Sequence, residues 1–210
     1  FQERMPDGMR RPILYQEGPA HLEQRKQTAR FFTPTSVATY EPMMEALAKE
    51  LAAQLVRKKS VNVRDLNLSM AMRVVSQVVG LTHSRLPGIA QRLDVFLANE
   101  TIERQTPIGA AIRKARNRLS VLLFFFLDVK PSVDAHRKKP AEDLISYLLE
   151  QGYNDWEIFT EAVTYGAAGM GTTREFMALA LWHLLEQPAL AARYRVAGHD
   201  ERIAILQEIL

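Results

Sequence analysis

Cysteine is absent from all 210 residues. That removes disulfide scaffolds, thiolate zinc sites and cysteine nucleophiles from this chain in one step. A chain that needs no disulfide also suits the cytoplasm, which is the expected compartment. Long apolar runs are lacking as well. The longest, residues 119–127, is nine residues with Ser120 inside it, against the roughly 20 that a membrane span needs. No membrane partner is expected on that ground. Charge of one sign is scarce: 27 Lys and Arg against 24 Asp and Glu leave a net +3, too little to imply nucleic acid. Internal repeats are absent, and strand-type alternation is nearly so. No signal peptide is legible, and the chain starts at Phe1 rather than at a methionine. It reads as a piece of something longer.

What is present is ordinary for a globular protein: 47% apolar and 24% charged residues. The punctuation at Pro6, Gly8, Pro12, Gly18 and Pro19 predicts a loop over 1–20. A short helix over 21–32 follows. Tyr40, Met43, Met44, Leu47, Leu51 and Leu55 then recur at helical spacing, with Pro42 expected in the first turn. Residues 60–64 alternate and read as a short strand. Helices are expected over 66–81, 89–99 and 108–129, with a turn at Gln105, Thr106 and Pro107, and then a basic loop over 130–140. Pro140 opens the next helix, which Gly152 stops. Asn154 and Glu157 resemble a capping pair at the head of the longest helix, which runs to Gln187 and Pro188. The fold class is all-α, with at most minor β. Residues 1–20 and 86–107 are expected to be the most mobile.

That long helix weakens itself at mid-span. Gly166, Gly169 and Gly171 each cost about 0.8–1 kcal/mol against alanine, and the β-branched Thr172 and Thr173 follow at once. Two explanations stand open: close packing against a neighbouring helix, or a flat ligand lying on this face beside a hydroxyl and a local distortion. His21 and Arg25, at i and i+4, share a helix face. They form either a solvated surface or two donors converging on one anion. His83, His136, His183 and His199 show no metal-ligand spacing and read as structural or surface residues, so no metal ligands are assigned.

Five segments, in order, resemble the cytochrome P450 superfamily of heme-thiolate monooxygenases, in its bacterial soluble form. Gly18-Pro19-Ala20-His21-Leu22-Glu23-Gln24-Arg25 resembles the family's G-x-x-H-x-x-x-R, and Phe32-Thr33-Pro34 its F-[ST]-P. Asp143-Leu144-Ile145 is similar to D-L-[IL]. Ala168-Gly169-Met170-Gly171-Thr172-Thr173 resembles the oxygen-binding [AG]-G-x-[DE]-T-[TS], and Leu181 to Pro188 its usual run-out. The resemblance implies one partial P450-like domain over 1–210, helices grouped around one long central helix, with heme b as the cofactor of the intact parent. It implies that His21 and Arg25 hold the heme propionates as charge-assisted donors. It puts Ala168 and Gly169 against the porphyrin face, makes Thr172 the proton-delivering catalytic residue, and lets Tyr165 line the substrate pocket. A small apolar substrate and a ferredoxin-type redox partner, received at Lys26 or Arg30, complete the expectation.

Two departures qualify it. Gly171 stands where the family has an acid, so a different proton route or the use of peroxide is expected. Glu208-Ile209-Leu210 resembles the start of E-x-x-R, and neither its arginine nor a heme-ligating cysteine is among the 210 residues. The chain by itself is therefore expected to be inactive in thiolate-ligated oxidation, and to associate through core surface left exposed. The alternative is a heme-free helper. Cysteine-lacking relatives of the family activate partner enzymes such as glycosyltransferases.

Overall fold

A computed structural model describes residues 9–58, 60–98 and 107–210. Among them ten α-helices and no strand occur: α1 (Gly18–Thr28), α2 (Pro34–Lys58), α3 (Val63–Val79), α4 (Ile89–Ala98), α5 (Pro107–Phe124), α6 (Lys130–Lys138), α7 (Leu144–Glu150), α8 (Asp155–Glu186), α9 (Pro188–Val196) and α10 (His199–Ile209). The punctuation at Pro6 and Gly8 and the turn at Gln105 and Thr106 lie outside the described residues. So do parts of both segments expected to be mobile.

The central helix is the expected one. The Asn154 side chain accepts from the Trp156 and Glu157 amides (3.0 Å each), and Glu157 Oε2 accepts from the Asn154 amide (2.9 Å). This reciprocal cap satisfies donors that a helix start otherwise leaves orphaned. The 32 residues of α8 run about 48 Å without interruption. α3 packs along α8 more extensively than any other helix does. Between and around these two helices lie Met72, Leu93, Phe124, Val129, Val133, Leu144, Ile145, Leu148, Ile158 and Met170, all fully buried.

The structure corrects four expectations. Residues 60–64 form no strand: Asn62 caps α3, its side chain accepting from the Arg64 amide (2.9 Å). Pro42 sits inside α2 rather than in its first turn, because the helix already begins at Pro34. The basic segment 130–140 is mostly helix. α5 continues through one π-helical turn, Phe125–Val129, straight into α6. What the charge run conceals is a buried face of Ser132, Val133 and His136. His136 Nδ1 donates to the Ser132 carbonyl (2.6 Å), and Nε2 meets Asp143 Oδ2 (2.5 Å). A carbonyl can only accept, so Nδ1 carries a proton and the Asp143 carboxylate holds a second one at Nε2. Asp143 also caps α7 through the Ser146 amide (2.9 Å). It is Asp143, not Pro140, that opens the helix. Gly80 ends α3 at φ 93° with that carboxylate against it; a Cβ there would meet it at 2.7 Å.

Candidate functional site

The three glycines of α8 do different work. A Cβ on Gly169 would stand 2.7 Å from Val75 Cγ2 on α3, and one on Gly166 would stand 3.1 Å from Leu93 Cδ2 on α4. These two are packing glycines that let α8 approach its neighbours. Gly171 is different: a Cβ there meets nothing within 4 Å. It lies beside Ala168 and Thr172, which are both exposed. The two explanations of the weak mid-span are therefore divided by face. One side of the helix is small for packing, and the other is small and open. The helix runs unbroken here, so the local distortion that one of the two explanations carried does not occur. Thr172 Oγ1 donates to the Ala168 carbonyl one turn back (2.6 Å). That bond occupies the hydroxyl proton and leaves the oxygen able to accept.

Glu161, Tyr165, Ala168 and Thr172 fall on one stripe of α8, spaced i, i+4, i+7, i+11. The first two seat α1. Gln24 Nε2 donates to Glu161 Oε1 (2.6 Å), and the Tyr165 hydroxyl donates to Thr28 Oγ1 (3.0 Å). Phe32 stacks on the Tyr165 ring at 6.0 Å with 9° between planes. Buried Gln24 and Thr28 are thus the inward face of α1. His21 is half-buried and Arg25 exposed one turn apart on the same helix, with no hydrogen bond to either side chain among the described residues. Arg30, just beyond, lies over the Phe31 and Tyr147 rings at 4.8 and 4.9 Å.

Sequence reasoning missed Glu161. It is 1% exposed. It also accepts from the Ile13 amide (3.1 Å), while Glu157 Oε1 takes the Arg10 amide (2.9 Å). Two carboxylates one helical turn apart therefore strap the segment before α1 onto α8. Burial pushes the Glu161 carboxyl up to about 7, against the bonds from Gln24 and Ile13 that lower it. Burial likewise pushes the Tyr165 phenol up to about 12. Glu161 Oε2 and Gln24 Oε1 are both buried and find no hydrogen-bond partner among the described residues. The one legible signal was two glutamates at i and i+4 in the opening turns of an otherwise apolar helix.

Among the described residues no cluster of His, Asp or Glu has the form of a metal site. His83 and His199 lie on other segments, His183 lies on α8 about three turns beyond Thr172, and His136 is committed to Asp143. The open face, by contrast, has the make-up that one side of a flat, carboxylate-bearing macrocycle requires. Ala168 and Gly171 offer no side-chain bulk, Thr172 offers a hydroxyl oxygen, and the neighbouring helix carries His21 and Arg25 as donors for carboxylates. No thiolate ligand for a metal at its centre is among the 210 residues.

No family model matches the chain. It is 21% identical over 195 residues to the putative cytochrome P450 YjiB of Bacillus subtilis, covering 90% of this chain and 48% of that protein. It is 24% identical over 179 residues to cytochrome P450(MEG) of Priestia megaterium, covering 82% and 42%. The fold matches the crystal structure of the myxobacterial cytochrome P450 CYP267B1 in complex with myristic acid, with a TM-score of 0.72 at 20% identity over 99% of this chain and 54% of that one. The chain spans about half the length of the curated relatives it matches. Among the described residues no helix is long and apolar enough to cross a membrane.

Proposed function

We propose that this chain of the cytochrome P450 superfamily, spanning about half the length of its relatives, is the N-terminal and central part of a heme-thiolate oxidoreductase acting on a small apolar molecule in the cytoplasm. The observation that carries the reading is the open small-residue face of α8 at Ala168, Gly171 and Thr172, on the stripe that also seats α1. Heme, when bound, supplies the redox chemistry of dioxygen or peroxide activation. The chain's own residues do the rest. His21 and Arg25 hold the propionates, and the Gln24 and Thr28 contacts to α8 fix the helix that presents them. Ala168 and Gly171 leave room at the ring, whereas Gly169, expected there from the sequence, is turned against Val75 of α3. Tyr165, with Phe32 stacked on it, walls the α1 side of the substrate space. Thr172 Oγ1, its proton lent to the Ala168 carbonyl, accepts a hydrogen bond from water and holds that water where a proton is needed. With Gly171 in the acid's place, the proton must arrive through water rather than from a neighbouring carboxyl. Lys26 and Arg30 offer cations to an acidic ferredoxin.

The test uses the intact parent protein loaded with heme. Thr172→Ala is expected to divert oxygen consumption from product several-fold; unchanged coupling removes Thr172 from proton delivery. Arg25→Ala is expected to weaken heme retention about tenfold, the scale of one charge-assisted bond. Full occupancy in that variant would overturn the propionate assignment.

A second reading is favoured by Gly171 in the place of the acid: a heme-free helper that activates a partner enzyme such as a glycosyltransferase. An absorbance spectrum under carbon monoxide and reductant separates the two. A thiolate–carbonyl Soret band from the parent supports the oxidase, and no Soret band supports the helper.

A further inference from the structure

The outward face of α5 is apolar along its middle and cationic at its edges. Leu119, Leu122, Leu123 and Phe126 are 56, 40, 42 and 51% exposed. At 100° per residue, Leu122, Ala115, Leu119 and Leu123 occupy one arc of about 100°, and all are exposed. Lys114 and Arg118, also exposed, flank that arc on one side, and Arg116 flanks it on the other. Residues 117, 120, 121, 124 and 125 point the opposite way and are buried or half-buried. The stripe does not stop at the helix end. Phe126 meets the Phe125 ring edge-on (5.0 Å), and Phe125 stacks on Trp156 (4.1 Å, 5°), which is 43% exposed. Throughout residues 107–127 there are four cations and no Asp or Glu.

This charge pattern decides among occupants. A second copy docking α5 against α5 would bring cation against cation with no acid on either helix to answer them. A protein partner would have to supply an apolar ridge bordered by acids on both sides. An anionic bilayer supplies that arrangement at any azimuth: headgroup phosphates at both edges and acyl chain between them. It suits a helix whose apolar stripe is bracketed by Lys and Arg and ends in Phe and Trp. A helix lying on a bilayer needs no membrane-spanning length.

We propose that the α5 face, with Phe126 and Trp156, is a docking surface for an anionic lipid bilayer. The experiment is co-sedimentation of the whole chain with vesicles of pure phosphatidylcholine, and with vesicles containing a third phosphatidylglycerol. Binding is expected to the anionic vesicles only and to weaken with salt. It is expected to fall about tenfold or more in K114E/R118E, since each cation at the surface is worth about 1 kcal/mol. A similar fall is expected in L119S/L123S. The charge-matched K138E/K139E, on the exposed end of α6, is expected to retain binding. Circular dichroism of each variant identifies any that fail to fold; if one does, the other of the pair decides. Equal binding by the wild type and the folded α5 variants overturns the proposal. So does the absence of vesicle binding, whether the chain is then monomeric or forms a dimer that the α5 variants abolish.

Discussion

Two glycines only two residues apart on α8 carry opposite signs. At Gly169 a methyl group would collide with Val75, and at Gly171 it would meet open space. Gly169→Ala is expected to cost about 1–3 kcal/mol, as overpacking does, and Val75→Ala in the same chain to recover part of it. Gly171→Ala is expected to gain up to about 1 kcal/mol from helix propensity. Paired urea melts read both. Burial raises the Glu161 carboxyl above its ordinary value. Its folded-state value of about 7 lies above the ordinary 4.5, so the folded protein holds this proton more tightly than the unfolded chain does. Stability is therefore expected to be greatest on the acid side of 4.5, to fall as pH rises to about 7, and then to level. The full change is on the order of 3 kcal/mol. Glu161→Gln keeps the shape without the charge, and its melting curve is expected to be flat over that window.

The join of α5 to α6 is where an element-scale reading of the sequence breaks down. Six charged or histidine side chains among residues 130–139 hide a helix whose inner face is only Ser132, Val133 and His136. Two of those three are polar, so hydrophobic periodicity carries too little signal to find it. The π turn adds to the difficulty by shifting the register of whatever follows. It also holds buried Asp128, which the Arg92 Nε (2.7 Å) and Nη2 (2.6 Å) and the Ser84 hydroxyl (2.6 Å) satisfy from 36 and 44 residues away. Such pairing is invisible along the chain. By contrast, α8 was legible from cap to Pro188, and so was α3 up to Gly80, because short-range rules decide them. Of the candidate site, the Ala168–Thr172 register could be read directly. The Glu157 and Glu161 strap could not, since its partners are backbone amides. His136 gives this element its own test. Its bond to Asp143 raises its value above the usual 6.5, against burial, so its stabilisation is complete below about 6.5 and is lost as pH rises through the higher folded value. His136→Ala is expected to cost about 3 kcal/mol at pH 6, the scale of a broken buried pair, and less in more alkaline buffer.

At the scale of the molecule, apolar side chains are unevenly covered. α8 is buried over its first half and carries Leu181, Trp182 and Leu185 outward near its end, at 40, 55 and 73% exposure. α9 and α10 add Val196 and Ile203. Scattered singly these would need no comment; gathered on the last three helices they form a surface that adheres. The chain is expected to self-associate at micromolar concentration through this end, and W182Q/L185Q to weaken that association about tenfold in sedimentation velocity.

The strap from α8 to the segment before α1 closes bonds between residues 147 and 148 positions apart. Closing so long a stretch of polymer is a topological matter as much as an energetic one: nothing rewards it until the far end exists. Synthesis runs from the amino end, so residues 10–28 leave the ribosome without a surface to rest on and wait for Glu157 and Glu161 to be made. The helix bearing His21 and Arg25 thus takes its seat only once α8 has been made. Assembly order is built in: α1 comes into place only after the helix it rests on is standing.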